Sequence, residues 1–430
     1  MAKRTAVEKR LLEKAARYLP GASLGNVFQK PEDAFFIVRG KGSHVWDLSG
    51  NEYIDWLLGS GPALVGHAHP EVNQAVMEAL QEGTTFFHTN QRAVLLAEEI
   101  CKAVPCAEQV RFYTSGTEAD FQAMRICRAY RKRDKVLKFE GGYHGTSDYG
   151  WVSITPASPP PFPQPYAEAA GTPRAALDLV LVAPFNDLPA AAAIIEKHRD
   201  ELACVIVEPI QRVIPPLPGF LKGLREVTAR CHIPLIFDEV VTGFRLAYGG
   251  AQEYYGVLPD LCTLAKAVGG GFPLAAVAGR AEIMKHCDPG AVEKSDYVYT
   301  VGTLSGNPVA CAAGLATLKI LRRRGAYRRL RAVGSRLRAE LSRILTEAGI
   351  PNQVVGEDPC FGVYFQADPV TTYRSTLQAD KKMLAKFNGV MLKYGILKGG
   401  QKYYVSTVHT DEDVERTIRA FKAAAAALRG

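Results

Sequence analysis

Long apolar runs are missing from this 430-residue chain. Spanning a bilayer takes about 20 consecutive apolar residues, and the longest stretches here are too short or too interrupted, which excludes a membrane partner. Paired cysteines are missing as well. Nine cysteines stand singly, with no CxxC and no cluster with histidine at zinc-ligand spacing. That excludes a disulfide framework and a metal site, and it fits reduced thiols in a cytoplasmic protein. The N-terminus, MAKRTAVEKRLLEKAARYLPG, lacks the apolar core of a signal peptide, and its acidic residues argue against a transit peptide. It reads as an amphipathic helix packed on the body. No internal repeat is visible. No RNA- or DNA-binding motif accompanies the basic runs at 128–133 and 322–324, so a nucleic-acid partner is excluded. The net charge of +8 supports only a mild pull on anionic ligands.

What is present is a rhythm. Short apolar runs alternate with helical patterns: 109–113, 135–139, 179–183, 203–209, 234–240, 261–265 and 274–279. Helix-like segments at 118–132 and 187–202 lie between them. Near-continuous apolar strands separated by helices indicate an α/β fold with a mostly parallel sheet covered on both faces. Ligands of such sheets bind beyond the carboxyl ends of the strands. Ser115, Tyr143, Glu208, Asp238 and Lys266 each end or follow a strand. The proline-rich stretch 155–173 breaks the rhythm and predicts a long surface loop, either a lid or a plain connection. After about residue 310 a long helix and a second α/β unit are expected, with strands near 361–365 and 402–407.

Two charged residues at strand tips carry the chemistry. Asp238 ends one apolar strand, and Lys266 follows another before Gly269-Gly270-Gly271. Buried unpaired charges are costly, so a ligand of compensating charge is expected there. Pyridoxal phosphate satisfies both: a lysine amine forms its Schiff base, and an aspartate pairs with its pyridine nitrogen. Burial lowers a lysine pKa and supplies the neutral amine, which can also shuttle a proton. Val240, two residues past Asp238, points to the same side and presses on the ring. Ser115, Gly116 and Thr117 open a helix, where backbone N–H groups favour an anion; a plain helix cap is the alternative. Gly141-Gly142-Tyr143-His144-Gly145 lets a ring approach closely. Tyr143 offers a stacking face, and His144 a polar wall, a proton carrier or a purely structural group. Glu208 is a second carboxylate at a strand tip.

The ordered set YTSGTEA (113–119), GGYHG (141–145), VEP (207–209), FDEVVTGFR (237–245), GAQEYYGVLPDL (250–261), AKAVGGGFP (265–273) and GTLSGNP (302–308) resembles the class III (subgroup II) aminotransferases. These are fold type I pyridoxal-phosphate enzymes, and within them the aminomutase branch acting on glutamate-1-semialdehyde is the nearest match. The similarity runs from about residue 15 to 425. It implies a large domain at 51–310 holding pyridoxal 5'-phosphate and a smaller α/β domain at 311–430, joined by the N-terminal segment 1–50. It makes Lys266 the Schiff-base lysine, Asp238 the partner of the ring nitrogen, Ser115, Gly116 and Thr117 a phosphate cradle, and Tyr143 the stacking ring. Thr303 is implied to reach the phosphate of a neighbouring subunit, hence a homodimer with shared sites.

Departures from the branch bear on substrate. Phe28 stands where its substrate-binding arginine is expected, Ser60 replaces a tryptophan, and Gln401 replaces a gating acid. Bidentate carboxylate recognition needs a guanidinium, so a substrate other than glutamate-1-semialdehyde is expected, with aromatic or other less polar amines fitting the apolar Phe28. A carboxylate, where present, would need Arg212, Lys398 or Lys402. The expected activity is transfer of an amino group between an amine or amino acid and a carbonyl acceptor. An aminomutase or amino-acid racemase shares every cofactor residue, and a noncatalytic binding protein is the alternative from another class.

Overall fold

The computed structural model describes residues 4–25 and 34–429. Seven strands form the central sheet: β1 Gln109–Tyr113, β2 Lys135–Phe139, β3 Val180–Ala183, β4 Leu202–Val207, β5 Leu235–Glu239, β6 Leu261–Leu264 and β7 Ala275–Gly279. Their order is β1-β7-β6-β5-β4-β2-β3. The run from β6 to β3 is parallel. Only β7 opposes its neighbours β1 and β6, so the ends of β1, β2, β4, β5 and β6 share one side. β3 to β7 are buried at every residue, which explains their continuous apolar sequences.

Helix α1, Gly116–Arg131, starts at Ser115, whose hydroxyl caps the Glu118 N–H, while Glu118 reaches back to the Thr114 N–H. This reciprocal cap fixes where the helix leaves β1. Its inner face, Ala119, Ala123, Met124 and Cys127, is buried against the sheet. Helix α2, Pro308–Leu321, is buried almost all round and passes close to the turn after β6. A Cβ on Gly270 would meet Thr317 Oγ1 at 2.3 Å, so only glycine fits there.

Two smaller sheets lie beside the central one, and both ends of the chain meet in the first. Ile396–Leu397 pairs in parallel with Glu52–Asp55, beside His44–Asp47 and Ile37–Lys41. Lys402–Tyr404 joins Cys360–Tyr364 and Gln353–Glu357. Fully buried Arg245, beyond β5, donates to the Gly61 and Val241 carbonyls and lies 5.1 Å from the Tyr404 ring, tying these sheets to the central one. The stretch 155–173 has no helix and only an isolated bridge at Ala167, as its prolines predict. It is fastened down: the Tyr373 hydroxyl and the Arg374 guanidinium donate to the Pro156 and Pro160 carbonyls.

The N-terminal helix, Ala6–Tyr18, forms as expected but packs differently. Only Glu8 and Ala15 are buried, whereas Val7, Leu11 and Tyr18 are exposed. Polar contacts hold it: the Arg4 guanidinium donates to the Ala34 carbonyl, and the Phe36 N–H donates to Glu8. The helix thus packs on the body by the edge that carries Leu12 and Ala15, and its other apolar residues face outward. No helix of the described residues is long and apolar enough to cross a membrane.

Candidate active site

The strand tips converge as the sequence suggested. A Cβ on Gly116 would lie 3.1 Å from both Val240 methyls and 3.7 Å from Ala265 Cβ, so the start of α1 abuts the residues following β5 and β6. A Cβ on Gly145 would lie 2.5 Å from Thr117 Cα, so the loop after β2 closes on the same helix start. Thr117 Oγ1 accepts from the Thr146 N–H. Glu208 accepts the Tyr143 N–H at 2.9 Å. The Tyr143 ring packs edge-on against Trp151 at 5.5 Å.

Asp238 is deeply buried and doubly held. Oδ1 accepts from the Val240 N–H at 3.0 Å, and Oδ2 lies 2.7 Å from His144 Nδ1. Among the described residues His144 Nε2 is buried without a hydrogen-bond partner, close to Gly142. Lys266 adopts a left-handed backbone, φ 48°. Burial pulls its amine below the ordinary lysine range; Asp238 and Glu208 oppose this, while Arg212 and Arg245 reinforce it. The result is an amine with reduced proton affinity.

Arg212 is half-buried, with φ 63°, and its guanidinium lies 5.3 Å from the centre of the Tyr143 ring. Non-glycine residues in this region store strain that the surroundings must hold. Among the described residues it has no carboxylate partner. Lys402 feels the charges of Arg212, Glu208 and Lys266, and burial brings its amine down to about 7. Lys398 is committed elsewhere: Nζ donates to Asn388 Oδ1 at 2.7 Å and to the Gly400 carbonyl, over Tyr403. Ser60 and Gln401 sit at the same edge, against the Tyr404 and Tyr364 hydroxyls. Thr303 stands apart, exposed, its carbonyl accepting from Thr85 Oγ1. Phe28 lies outside the described residues.

Sequence reasoning missed two groups. Lys138, fully buried on β2, donates to the Gly142, Gly150 and Val152 carbonyls and so shapes the Tyr143 loop. Asp120 is buried on α1 beside Asp238. Each was detectable as a charge on an apolar face.

These residues fit a pyridoxal phosphate. The glycine-lined helix start suits a phosphate, and Asp238 suits a protonated ring nitrogen. A family model described as aminotransferase class-III matches residues 27–424. The chain is 40% identical over 426 residues to glutamate-1-semialdehyde 2,1-aminomutase 2 of Brevibacillus brevis, covering 95% of this chain and 96% of that one. An omega-transaminase from Sphaerobacter thermophilus superposes with a TM-score of 0.95 at 35% identity, over 100% of this chain and 99% of that one. A beta-phenylalanine aminotransferase from Variovorax paradoxus superposes at 0.87 with 33% identity, over 97% and 93%. With its fold type I architecture and its pyridoxal-phosphate site, the chain belongs to the class III aminotransferases.

Proposed function

We propose that this enzyme is an aminotransferase whose donor carries a carboxylate, held by Arg212 with Lys402 nearby. One observation carries the reading: a half-buried guanidinium without a carboxylate partner among the described residues lies over Tyr143, and its charge is felt by Lys266 and Lys402. Such a cation is completed by an anion, and a bidentate carboxylate is its best geometric match. The likeness to the Variovorax enzyme adds support for an amino acid with an aromatic side chain.

When bound, pyridoxal phosphate supplies an aldehyde that condenses with amines and a ring that accepts electrons. In this reading Lys266 Nζ binds the cofactor, then carries the proton leaving the donor carbon. Asp238 faces the ring nitrogen, with His144 fixing its orientation. Tyr143 and Val240 would hold the ring from either side. Ser115, Gly116 and Thr117 hold the phosphate, and Glu208 anchors the Tyr143 loop. Ser60 and Gln401 border the donor's side chain. Amino donor and carbonyl acceptor bind in turn.

Thr303 serves the site of a second copy in the same proposal. Phe86, Phe87, Val94, Tyr299, Val301 and Leu304 are exposed around the Thr85–Thr303 contact, an apolar surface that a homodimer would cover. Sedimentation should give twice the chain mass. The division at residues 50 and 310 belongs to this proposal, supported by the four-stranded sheet in which Ile396–Leu397 joins N-terminal strands. Cytoplasmic residence is supported by nine free cysteines.

An amino-donor panel tests the reading, scored by bleaching of the bound cofactor's visible absorption without acceptor. Amino acids should react and simple amines of matched side chain should lag. Equal reaction of both sinks it. The 40% identity to an aminomutase supports a second reading: turnover of one substrate with no acceptor present would favour it.

A further inference from the structure

Asp120 lies on the inner face of α1 and is 2% exposed. Its Oδ1 accepts from Thr263 Oγ1 at 2.6 Å, and Thr263 is the β6 residue paired in register with Asp238 on β5. Ligand atoms of Asp120, His144 and Asp238 all lie within 4.8 Å of one another. Two buried carboxylates this close do not both ionise.

The proton's place follows from the partners. Asp238 has a backbone N–H on one oxygen and an imidazole nitrogen on the other, both favouring its anion. Asp120 has one hydroxyl donor, and burial together with the Asp238 charge pushes its carboxyl well above the usual range. Glu208 adds further negative charge from β4, and Lys266 and Lys138 supply the positive charges of the surroundings.

We propose that Asp120 is a positioning residue: a neutral acid that donates a hydrogen bond to Asp238 and keeps Asp238 the anion facing the cofactor's ring nitrogen. No proton changes hands. The hydrogen bond stabilises charged Asp238, lowers its hold on the ring's proton, and leaves that proton on nitrogen. The inference rests on the proposed role of Asp238.

The test uses holoenzyme reconstituted with pyridoxal phosphate carrying nitrogen-15 in the ring. Asp120→Asn keeps a neutral donor; Asp120→Ala removes it. Ring nitrogen chemical shift is followed against pH, together with the rate and donor KM of the amine half-reaction. Asp120→Asn should match the wild type. Asp120→Ala should move the shift toward the unprotonated nitrogen at neutral pH and slow the half-reaction about tenfold, with KM unchanged, as loss of one hydrogen bond to a charged group implies. If Asp120→Ala folds poorly, Asp120→Leu, closer in volume and equally without a donor, should move the same readouts in the same direction. An unchanged shift in Asp120→Ala overturns the inference, as does an Asp120→Asn enzyme as impaired as Asp120→Ala. Asp238→Ala separates the two claims: if it too leaves the shift unmoved, the reading of Asp238 fails first.

Discussion

Replacing Arg212 by Met gives the most direct check on substrate class. A hydrogen bond to a charged group contributes roughly 1.5–3 kcal/mol, and each 1.4 kcal/mol is about tenfold in an equilibrium constant. Full burial would thus predict losses of roughly 10- to 150-fold in kcat/KM for an amino-acid donor. Arg212 is only half-buried and Lys402 remains nearby, so the lower part of that range, about 10- to 30-fold, is expected. The variant also loses the contact with the Tyr143 ring, which would slow every donor alike. The ratio between an amino acid and the matching simple amine isolates the carboxylate. Arg212→Lys should recover only part of it, because an ammonium cannot make the two parallel bonds of a guanidinium. Half-reaction kinetics by stopped-flow absorbance give both numbers. An equal loss for both donors, or none for either, would refute carboxylate recognition at Arg212.

Lys266→Ala should bind cofactor without a covalent bond, giving no borohydride-trapped peptide and no turnover; a label on another lysine would remove the assignment. Gly145→Ala forces a Cβ to 2.5 Å from the Thr117 backbone at φ 80°, a conformation costing about 1–2 kcal/mol for a non-glycine residue before any clash. Cofactor affinity, measured by equilibrium dialysis, should fall at least about tenfold. Unaltered affinity would exclude the phosphate cradle. Buried His409, stacked 3.7 Å from Trp56, is held down to about 4 against 6.5 when free. The unfolded chain therefore binds the proton first, and stability falls as pH drops from 6.5 toward 4 by on the order of 3 kcal/mol. His44, raised by Asp413, acts in the opposite sense, so the quantity to compare is the urea midpoint of wild type against His409→Gln. Parallel pH slopes in the two proteins would sink the assignment.

Strands β3 to β7 were legible because burial on both faces leaves one signature, a mainly apolar run. β1 and β2 were read from β-branched and aromatic residues, although β1 is buried only at Tyr113. The sequence bounds 109–113 and 135–139 match β1 and β2 residue for residue. The antiparallel sense of β7 was not legible: Ala275–Gly279 is buried throughout, and such a run looks the same in either direction. Asp238 and Lys266 stood out because a charge at an apolar strand's end is conspicuous. Asp120 did not, since the short Ser-Gly-Thr-Glu segment before it drew the reading toward a helix cap. Yet it shares the face of Ala119, Ala123 and Cys127, where an acid is as anomalous as at a strand tip. The exposure of Val7, Leu11 and Tyr18 on the first helix was hidden for another reason. An amphipathic pattern states that a face will be covered and is silent on which chain covers it.

The reversal of β7 accounts for the backbone of Lys266. β6 ends at Leu264 and β7 returns antiparallel from Ala275, so ten residues must turn the chain through half a circle above the sheet. Helix α2 crowds that turn, since Gly270 has Thr317 at its back and the Val268 carbonyl lies against Gly314. The chain therefore coils tightly at once, through Lys266–Gly269 and then Gly270 and Gly271 with positive φ. A parallel crossover would have let residue 266 leave the strand extended, its side chain free to lean along the sheet. The forced left-handed step instead fixes the direction in which the amine departs. Its strain is carried by the sheet below and the helix behind, and so precedes any ligand.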